Sequence, residues 1–244
     1  MMNVLVIPFY NESSRIKLNL FEILLNLSPS NLEIVLVDDG SSDNTKNILE
    51  TISKLVSQSD ISVRTNNLNL GKAETLRLIF KEYSEKGYDI LAFTDGDLAT
   101  PPQEIIRFLE LASRKQTSVL MGVRKENKNN RINVNQIRRL QGMVFTKLTR
   151  KILGFKLTDS QCGMKAFENS EICRIALIEP FLNPWLFELE IFLRMGLHLN
   201  EENLGEEILQ EWNHVRGSKI KLSDPLKMLI SLLILKRKYL THSS

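Results

Sequence analysis

The stretch Ile90-Leu91-Ala92-Phe93-Thr94-Asp95-Gly96-Asp97-Leu98-Ala99-Thr100-Pro101-Pro102 decides the architecture. Its first four residues are apolar without alternation, as in a short strand buried on both faces. Two carboxylates, separated by one small residue, follow at the strand exit. Proline then opens the next segment, where it suits the first turn of a helix, having no N–H to lose there. A strand ending in acids and handing the chain to a helix is one βα unit, and the flanking sequence repeats it.

Toward the N-terminus, residues 4–8, 33–37 and 61–64 read as further strands, and residues 118–121 continue the series beyond. Helical patterns lie between them. One covers 14–27, with Ile16, Leu20, Leu24 and Leu27 on one stripe. A second follows a Ser42-Asp43 cap and carries Ile48, Ile52 and Leu55 inward. A third begins near Gly71 with Ala73, Leu76, Phe80 and Tyr83. This rhythm predicts an α/β fold with a doubly wound, mostly parallel sheet, whose ligands bind beyond the C-terminal strand ends. The second half is less regular, with helices expected over 136–152, 185–195 and 225–239. No internal repeat or linker breaks the chain. One domain is expected over 1–224, followed by an amphipathic helix and short tail over 225–244.

Composition bounds the function. The 244 residues suffice for one sizeable α/β domain, and 43% hydrophobic with 25% charged residues is ordinary for a globular chain. A net charge of +3 is too small to imply nucleic acid, and none is expected as a partner. The charge is unevenly spread: between Arg124 and Lys156 ten Lys or Arg face one acid, Glu126. Such a segment suits a phosphorylated ligand or an anionic membrane surface. Cys162 and Cys173 fit no zinc spacing or disulfide framework, so a reducing cytoplasm is the expectation. No apolar run reaches the roughly 20 residues that span a bilayer. The last helix, with Leu226, Leu229, Ile230, Leu233 and Ile234 in periodic positions and Lys236-Arg237-Lys238 at its end, suits the core, a homodimer contact or a membrane surface.

Three strand exits carry candidate chemistry. Asp95 and Asp97 can share a divalent cation with a diphosphate, because hard cations prefer oxygen ligands; a simple Asp-Gly turn is the plain alternative. Asp38-Asp39-Gly40-Ser41-Ser42-Asp43 follows another buried strand, where a carboxylate can accept from a nucleobase or ribose, or only cap the next helix. Pro8-Phe9-Tyr10-Asn11-Glu12 leaves the first strand.

Taken in order, Val6–Glu12, Val37–Ser41, Asn69-Leu70-Gly71-Lys72 and Asp95–Pro102 resemble the family 2 glycosyltransferases of GT-A fold. Gly122-Val123-Arg124, Arg138-Arg139, Asp159-Ser160-Gln161-Cys162-Gly163-Met164-Lys165 and Arg216-Gly217-Ser218-Lys219 are similar to their dolichyl-phosphate mannose and glucose synthase branch. The likeness spans roughly residues 3 to 225. It implies an inverting, metal-dependent transferase that moves a hexose from a UDP- or GDP-sugar to a polyprenyl phosphate. Pro8, Tyr10, Glu12, Asp39 and Lys72 would hold the donor. Asp95, Asp97 and Gln161 would hold Mg²⁺ or Mn²⁺, with Asp95 and Asp97 also meeting the diphosphate. Arg216 and Lys219 would clamp the leaving group, and Arg124 and Arg138 would meet the acceptor phosphate. One departure stands out: Gly71-Lys72 continues Ala73-Glu74-Thr75, without the second glycine many relatives have. The branch often carries membrane helices; with a lipid acceptor and no spanning run here, a peripheral protein at the cytoplasmic face of the membrane is expected.

Competing readings differ in the acceptor. A lipid phosphate is already ionised and attacks unaided, whereas a glycan hydroxyl needs a general base. Glu188 or Glu190 can supply one, although two acids two residues apart on a helix do not face the same way. Phe187 and Ile191 belong in the core, and Trp185 and Trp212 in the core or an interface. A non-catalytic nucleotide-sugar binder is the third reading; the retained acids and bases argue against it.

Overall fold

The computed structural model describes residues 1–55, 60–115, 117–134, 136–198, 201–215 and 224–241, without the side chains of 136–138, 201 and 224–226. Arg216 and Lys219 therefore lie outside the described residues, as does the side chain of Arg138.

Strand β1 (Asn3–Phe9) is the axis of the fold. Its side chains alternate between two cores, as a strand's period of two requires. Val4 and Val6 enter one, while Leu5, Ile7 and Phe9 enter the other. β2 (Leu32–Asp38) and β4 (Ile90–Phe93) flank β1, both parallel to it, and β3 (Ile61–Thr65) pairs parallel with β2. Beyond β4 come β7 (Lys165–Glu168), β5 (Val119–Val123) and β8 (Leu204–Ile208), giving the order β3-β2-β1-β4-β7-β5-β8. Short strands β6 (Arg131–Asn133) and β9 (Glu211–Asn213) form a separate parallel pair.

Helices cover both faces. On one side lie α1 (Leu18–Leu27), α2 (Thr45–Ile52) and α4 (Pro102–Arg114). On the other lie α3 (Lys72–Glu85), α5 (Gln136–Leu153), α6 (Glu171–Ala176), α7 (Phe187–Arg194) and α8 (Asp224–Tyr239). The strand order reverses between β1 and β4: β2 and β3 extend one way, while β4 starts the other. In such sheets that reversal opens a crevice at the carboxyl ends of the two strands. Phe9 and Phe93 end there, so both acidic strand exits meet at it.

The five expected strands are present, as are all the expected helices. Ala73, Leu76, Phe80 and Tyr83 all face the core from α3, as their spacing predicts. Several details differ, and α6 and the short strands β6, β8 and β9 in the less regular second half were not expected. β7 is antiparallel to both its neighbours and was not anticipated; four residues led by a lysine give too little pattern to read. α1 begins at Leu18 rather than 14, because Arg15 and Ile16 turn back on the Glu12 carbonyl at 2.8 and 3.1 Å. Its buried residues are Phe21, Leu24 and Leu25, while Leu27 is exposed; in α2, Leu49 and Ile52 are buried with Ile48 packed half-buried beside them, and Leu55 lies exposed past the helix end. In α8 the buried side carries Leu232 and Leu235, and the predicted stripe residues Ile230, Leu233 and Ile234 are exposed. A helix that is apolar nearly all round does not reveal its inner face by periodicity.

Candidate active site

Backbone and side-chain hydrogen bonds lock the first two strand exits together. Asp39 N–H donates to the Phe9 carbonyl at 2.8 Å. Asn11 receives Ser42 N–H on its Oδ1 and gives its own N–H to Ser41 Oγ, both at 2.9 Å, while Glu12 N–H donates to Thr45 Oγ1 at 2.9 Å. Asp43 accepts from Ser13 and Thr45. Although burial acts against its charge, these bonds hold its carboxyl at about 2. The expected Ser42-Asp43 cap is displaced by one residue: Asn44 is the N-cap, without a side-chain cap bond, while Asp43 just before it receives the N–H of Thr45 at 3.0 Å and Ser42 turns to Asn11.

Asp39 is buried at 2% exposure and accepts four donors: Asn66 Nδ2, Thr75 Oγ1 and the N–H groups of Leu70 and Gly71, at 2.8–2.9 Å. Its carboxylate thereby fixes the loop that delivers Lys72. Pro8 pairs with Val37 within the sheet, and Tyr10 is exposed at the crevice rim.

The acids after β4 sit under close constraint. Gly96 lies between them because a Cβ there would come within 2.6 Å of the Phe9 ring. Gly163 is tighter still: its Cβ would stand 2.0 Å from Asp95 Oδ2. The chain at Gly163 is thus pressed onto Asp95, which brings the loop that carries Gln161 beside that carboxylate. Lys72 Nζ donates to Asp95 Oδ1 at 2.7 Å and lies 4.7 Å over the Phe93 ring. Burial disfavours both charges, but their mutual attraction outweighs it, lowering the Asp95 pKa and raising that of Lys72. Asp97 moves the other way: burial and the neighbouring Asp95 charge raise it, against the pull of Arg15. Arg15 bridges the site, pairing with Asp97 and gripping both Glu12 oxygens at 3.0 and 2.8 Å.

On the opposite wall, Lys165 is fully buried at the start of β7, donating to the Cys162 carbonyl and lying 3.7 Å from Glu188 Oε1. Glu188 also acts electrostatically on Lys72. Glu190 turns away: wholly buried, it accepts from Arg194 at 2.7 Å, Tyr239 at 2.9 Å and the N–H groups of Leu182 and Asn183 at 2.9 and 3.3 Å. One acid faces the crevice and the other holds α7 to α8. Arg124 is engaged by Asp159, which takes its Nε at 2.7 Å and Nη2 at 2.9 Å, and its guanidinium stacks 5.2 Å from the buried Trp212 ring. Cys162 is buried and burial pushes its thiol up to about 11, so it is no nucleophile.

Among the described residues no three His, Cys, Asp or Glu side chains converge. Two neighbouring carboxylates nevertheless suit a hard divalent cation that completes its shell with water and a diphosphate. The missing Cβ at Gly163 keeps Asp95 close to the Gln161 loop and fits that use. Arg15, Lys165 and Gly163 had no assigned role in the sequence reading. Nothing in a linear motif reveals that Arg15 crosses to Asp97, 82 positions away.

A model of glycosyl transferase family 2 matches residues 4–172. The dolichyl-phosphate beta-glucosyltransferase of Saccharomyces cerevisiae is 32% identical over an alignment covering 96% of this chain and 74% of that protein. A UDP-N-acetylglucosamine–dolichyl-phosphate N-acetylglucosaminyltransferase of Methanococcus voltae is 27% identical and covered at 95% on both sides. Among solved structures, glucosyl-3-phosphoglycerate synthase from Mycobacterium tuberculosis, held with Mn²⁺, UDP and phosphoglyceric acid, superposes with a TM-score of 0.69 at 15% identity, over 96% of this chain and 78% of that one. Mannosyl-3-phosphoglycerate synthase from Rubrobacter xylanophilus gives 0.65 at 14%, over 99% and 74%. At those identities the structural likeness speaks for the GT-A fold alone. With the family model spanning most of the chain and a relative above 30% identity, the chain belongs to glycosyl transferase family 2, alongside the dolichyl-phosphate sugar synthases, and is an enzyme that transfers a sugar.

Proposed function

We propose that this enzyme moves a hexose from a nucleotide diphosphate sugar to a polyprenyl phosphate, with a divalent cation on Asp95 and Asp97. The observation that carries the reading is the pair of carboxylates at the strand-order reversal, with Gly163 pressed against one of them. Asp95, Asp97 and Gln161 are the oxygen donors available to the cation. A bound Mg²⁺ or Mn²⁺ would supply charge neutralisation for the diphosphate leaving group. Lys72 keeps Asp95 ionised and oriented, and Arg15 fixes Asp97. Pro8, Tyr10 and Glu12 line the nucleoside side, and Asp39 acts there by holding the 66–71 loop. Arg124 and Arg138, with Arg216 and Lys219, are the cations assigned to the acceptor phosphate and the donor diphosphate.

The acceptor comes from chemistry as well as relatedness. Relatives named for dolichyl phosphate align over nearly the whole chain. A phosphate monoester attacks the anomeric carbon without losing a proton first, so the site needs no base. Glu188 fits that economy: its carboxylate neutralises buried Lys165 rather than standing ready to take a proton. The lipid nature of such an acceptor puts the enzyme's work at a membrane surface, on the cytoplasmic side where nucleotide sugars are met.

Glu188→Gln separates the acceptors. It keeps an oxygen near Lys165, so transfer to a phosphate should stay within about tenfold of wild type. A fall in kcat of roughly 10²–10⁴-fold, the usual worth of a general base, would identify Glu188 as that base and turn the reading to a hydroxyl acceptor.

A further inference from the structure

Helices α5 and α8 pack against each other on one side of the molecule, and both keep an apolar stripe in solvent. On α8, Ile230, Leu233 and Ile234 are 50, 52 and 47% exposed although Leu232 and Leu235 between and beside them are fully buried. On α5, Leu140, Met143 and Val144 are 59, 49 and 51% exposed, at the three- and four-residue spacing of one face. Ordinary surfaces carry single apolar residues; stripes on two adjoining helices mark a partner.

Charge says which partner. The two helices hold nine of the chain's 32 Lys and Arg but one of its 29 Asp and Glu, so the remaining residues are net acidic. The stripe on α8 runs from exposed Lys227 to exposed Lys236, Arg237 and Lys238. On α5, the apolar stripe continues into exposed Lys147 and Lys151. Apolar side chains flanked by cations are what an anionic lipid surface accepts, and an identical copy of the same basic face would be repelled by it. A third element adjoins: Asn183 Nδ2 donates to Ser231 Oγ at 2.5 Å, which sets the loop bearing exposed Trp185 beside the α8 stripe. Indole prefers the boundary between lipid and water. Trp185 also stands three residues before Glu188, the acid 3.7 Å from Lys165. Among the described residues no helix is long and apolar enough to cross a membrane.

We infer that α5, α8 and the Trp185 loop form a docking face that lies on an anionic lipid bilayer. The inference deepens the lipid-phosphate reading and rests on it for what is fetched from the bilayer, but vesicle binding is measured without any transfer. The full chain is sedimented with vesicles of phosphatidylcholine, alone or mixed with phosphatidylglycerol. Wild type should pellet with the mixed vesicles and lose them as salt rises. Leu233→Asn with Ile234→Asn should weaken binding about tenfold or more at unchanged melting temperature. Lys236→Gln with Arg237→Gln should remove the preference for the anionic lipid. With a short, water-soluble isoprenyl phosphate the stripe variant should transfer sugar like wild type, and with long-chain polyprenyl phosphate in vesicles it should not. Wild type left in the supernatant of both vesicles would overturn the inference. So would a dimer that the stripe variant splits, because a second copy would then cover this face. Vesicle binding with neither phosphate labelled would uphold the docking face and refute the acceptor.

Discussion

Gly163→Ala is expected to lower kcat/KM for sugar transfer by about 100-fold or more while the protein stays folded, because a misplacement near 1 Å at reacting groups costs that much. The added methyl would stand 2.0 Å from Asp95 Oδ2 and 2.6 Å from its Cγ. One of them must move. The Asp95 carboxylate is the softer partner, being a side chain, but its other oxygen is held by Lys72 at 2.7 Å. Rotation would break that pair and carry the carboxylate off its place beside Asp97. Gly142→Ala in α5 is the matched control, since nothing lies within 4 Å of its Cβ position. In a helix interior that exchange should stabilise by about 0.5–1 kcal/mol and leave transfer unchanged. Steady-state rates and thermal melts of the two variants read the difference. Wild-type rates in Gly163→Ala would show that Asp95 has no role tied to its position.

Glu190→Ala should cost roughly 3–5 kcal/mol of stability, as breaking a buried pair does, and leave far less folded protein at a given denaturant concentration. Four donors lose their acceptor at once, two of them backbone N–H groups in the turn that leads to α7. Arg194, 9% exposed at its side chain, keeps the carbonyls of Ala176, Glu179 and Pro180 but no counter-charge. Urea unfolding measures the loss. A change under about 1 kcal/mol, the worth of an exposed pair, would mean that Arg194 reaches water and that α7 and α8 are not held by this carboxylate. The comparison with Glu188→Gln is direct: two acids two residues apart, one judged by stability and the other by acceptor chemistry.

What the sequence revealed and what it hid follow from the range of each interaction. Strands β1, β2 and β4 are legible because each carries an unbroken apolar run, as burial on two faces demands. The place of Asp95 and Asp97 at the crevice was legible too, since a strand order that reverses puts its exits there. That Glu188 and Glu190 part company follows from helical spacing; which of them faces the crevice depends on Lys165, 23 positions upstream. Arg15 was missed because it lies in a turn with no pattern and meets Asp97 only through the fold. Arg124 was read as meeting the acceptor phosphate, and nothing in its sequence context signals that Asp159 and Trp212 hold it on two sides. β7 was missed because its lysine is buried, and sequence patterning assumes that charge faces water. For α8 the sequence left core, homodimer contact and membrane surface open because both its faces are apolar; the core reading of the Ile230, Leu233 and Ile234 stripe fell once Leu232 and Leu235 proved to be the inner side.

The central claim is a sugar passed to a lipid phosphate through the Asp95–Asp97 site. Its most direct test incubates the full chain with labelled nucleotide sugars, Mg²⁺ or Mn²⁺ and polyprenyl phosphate in detergent, beside Asp97→Ala. The account predicts label in the lipid fraction for one donor, absent without divalent cation and absent in the variant. Label that enters no lipid while the donor is still hydrolysed with metal, or lipid labelling that persists in Asp97→Ala, would contradict it.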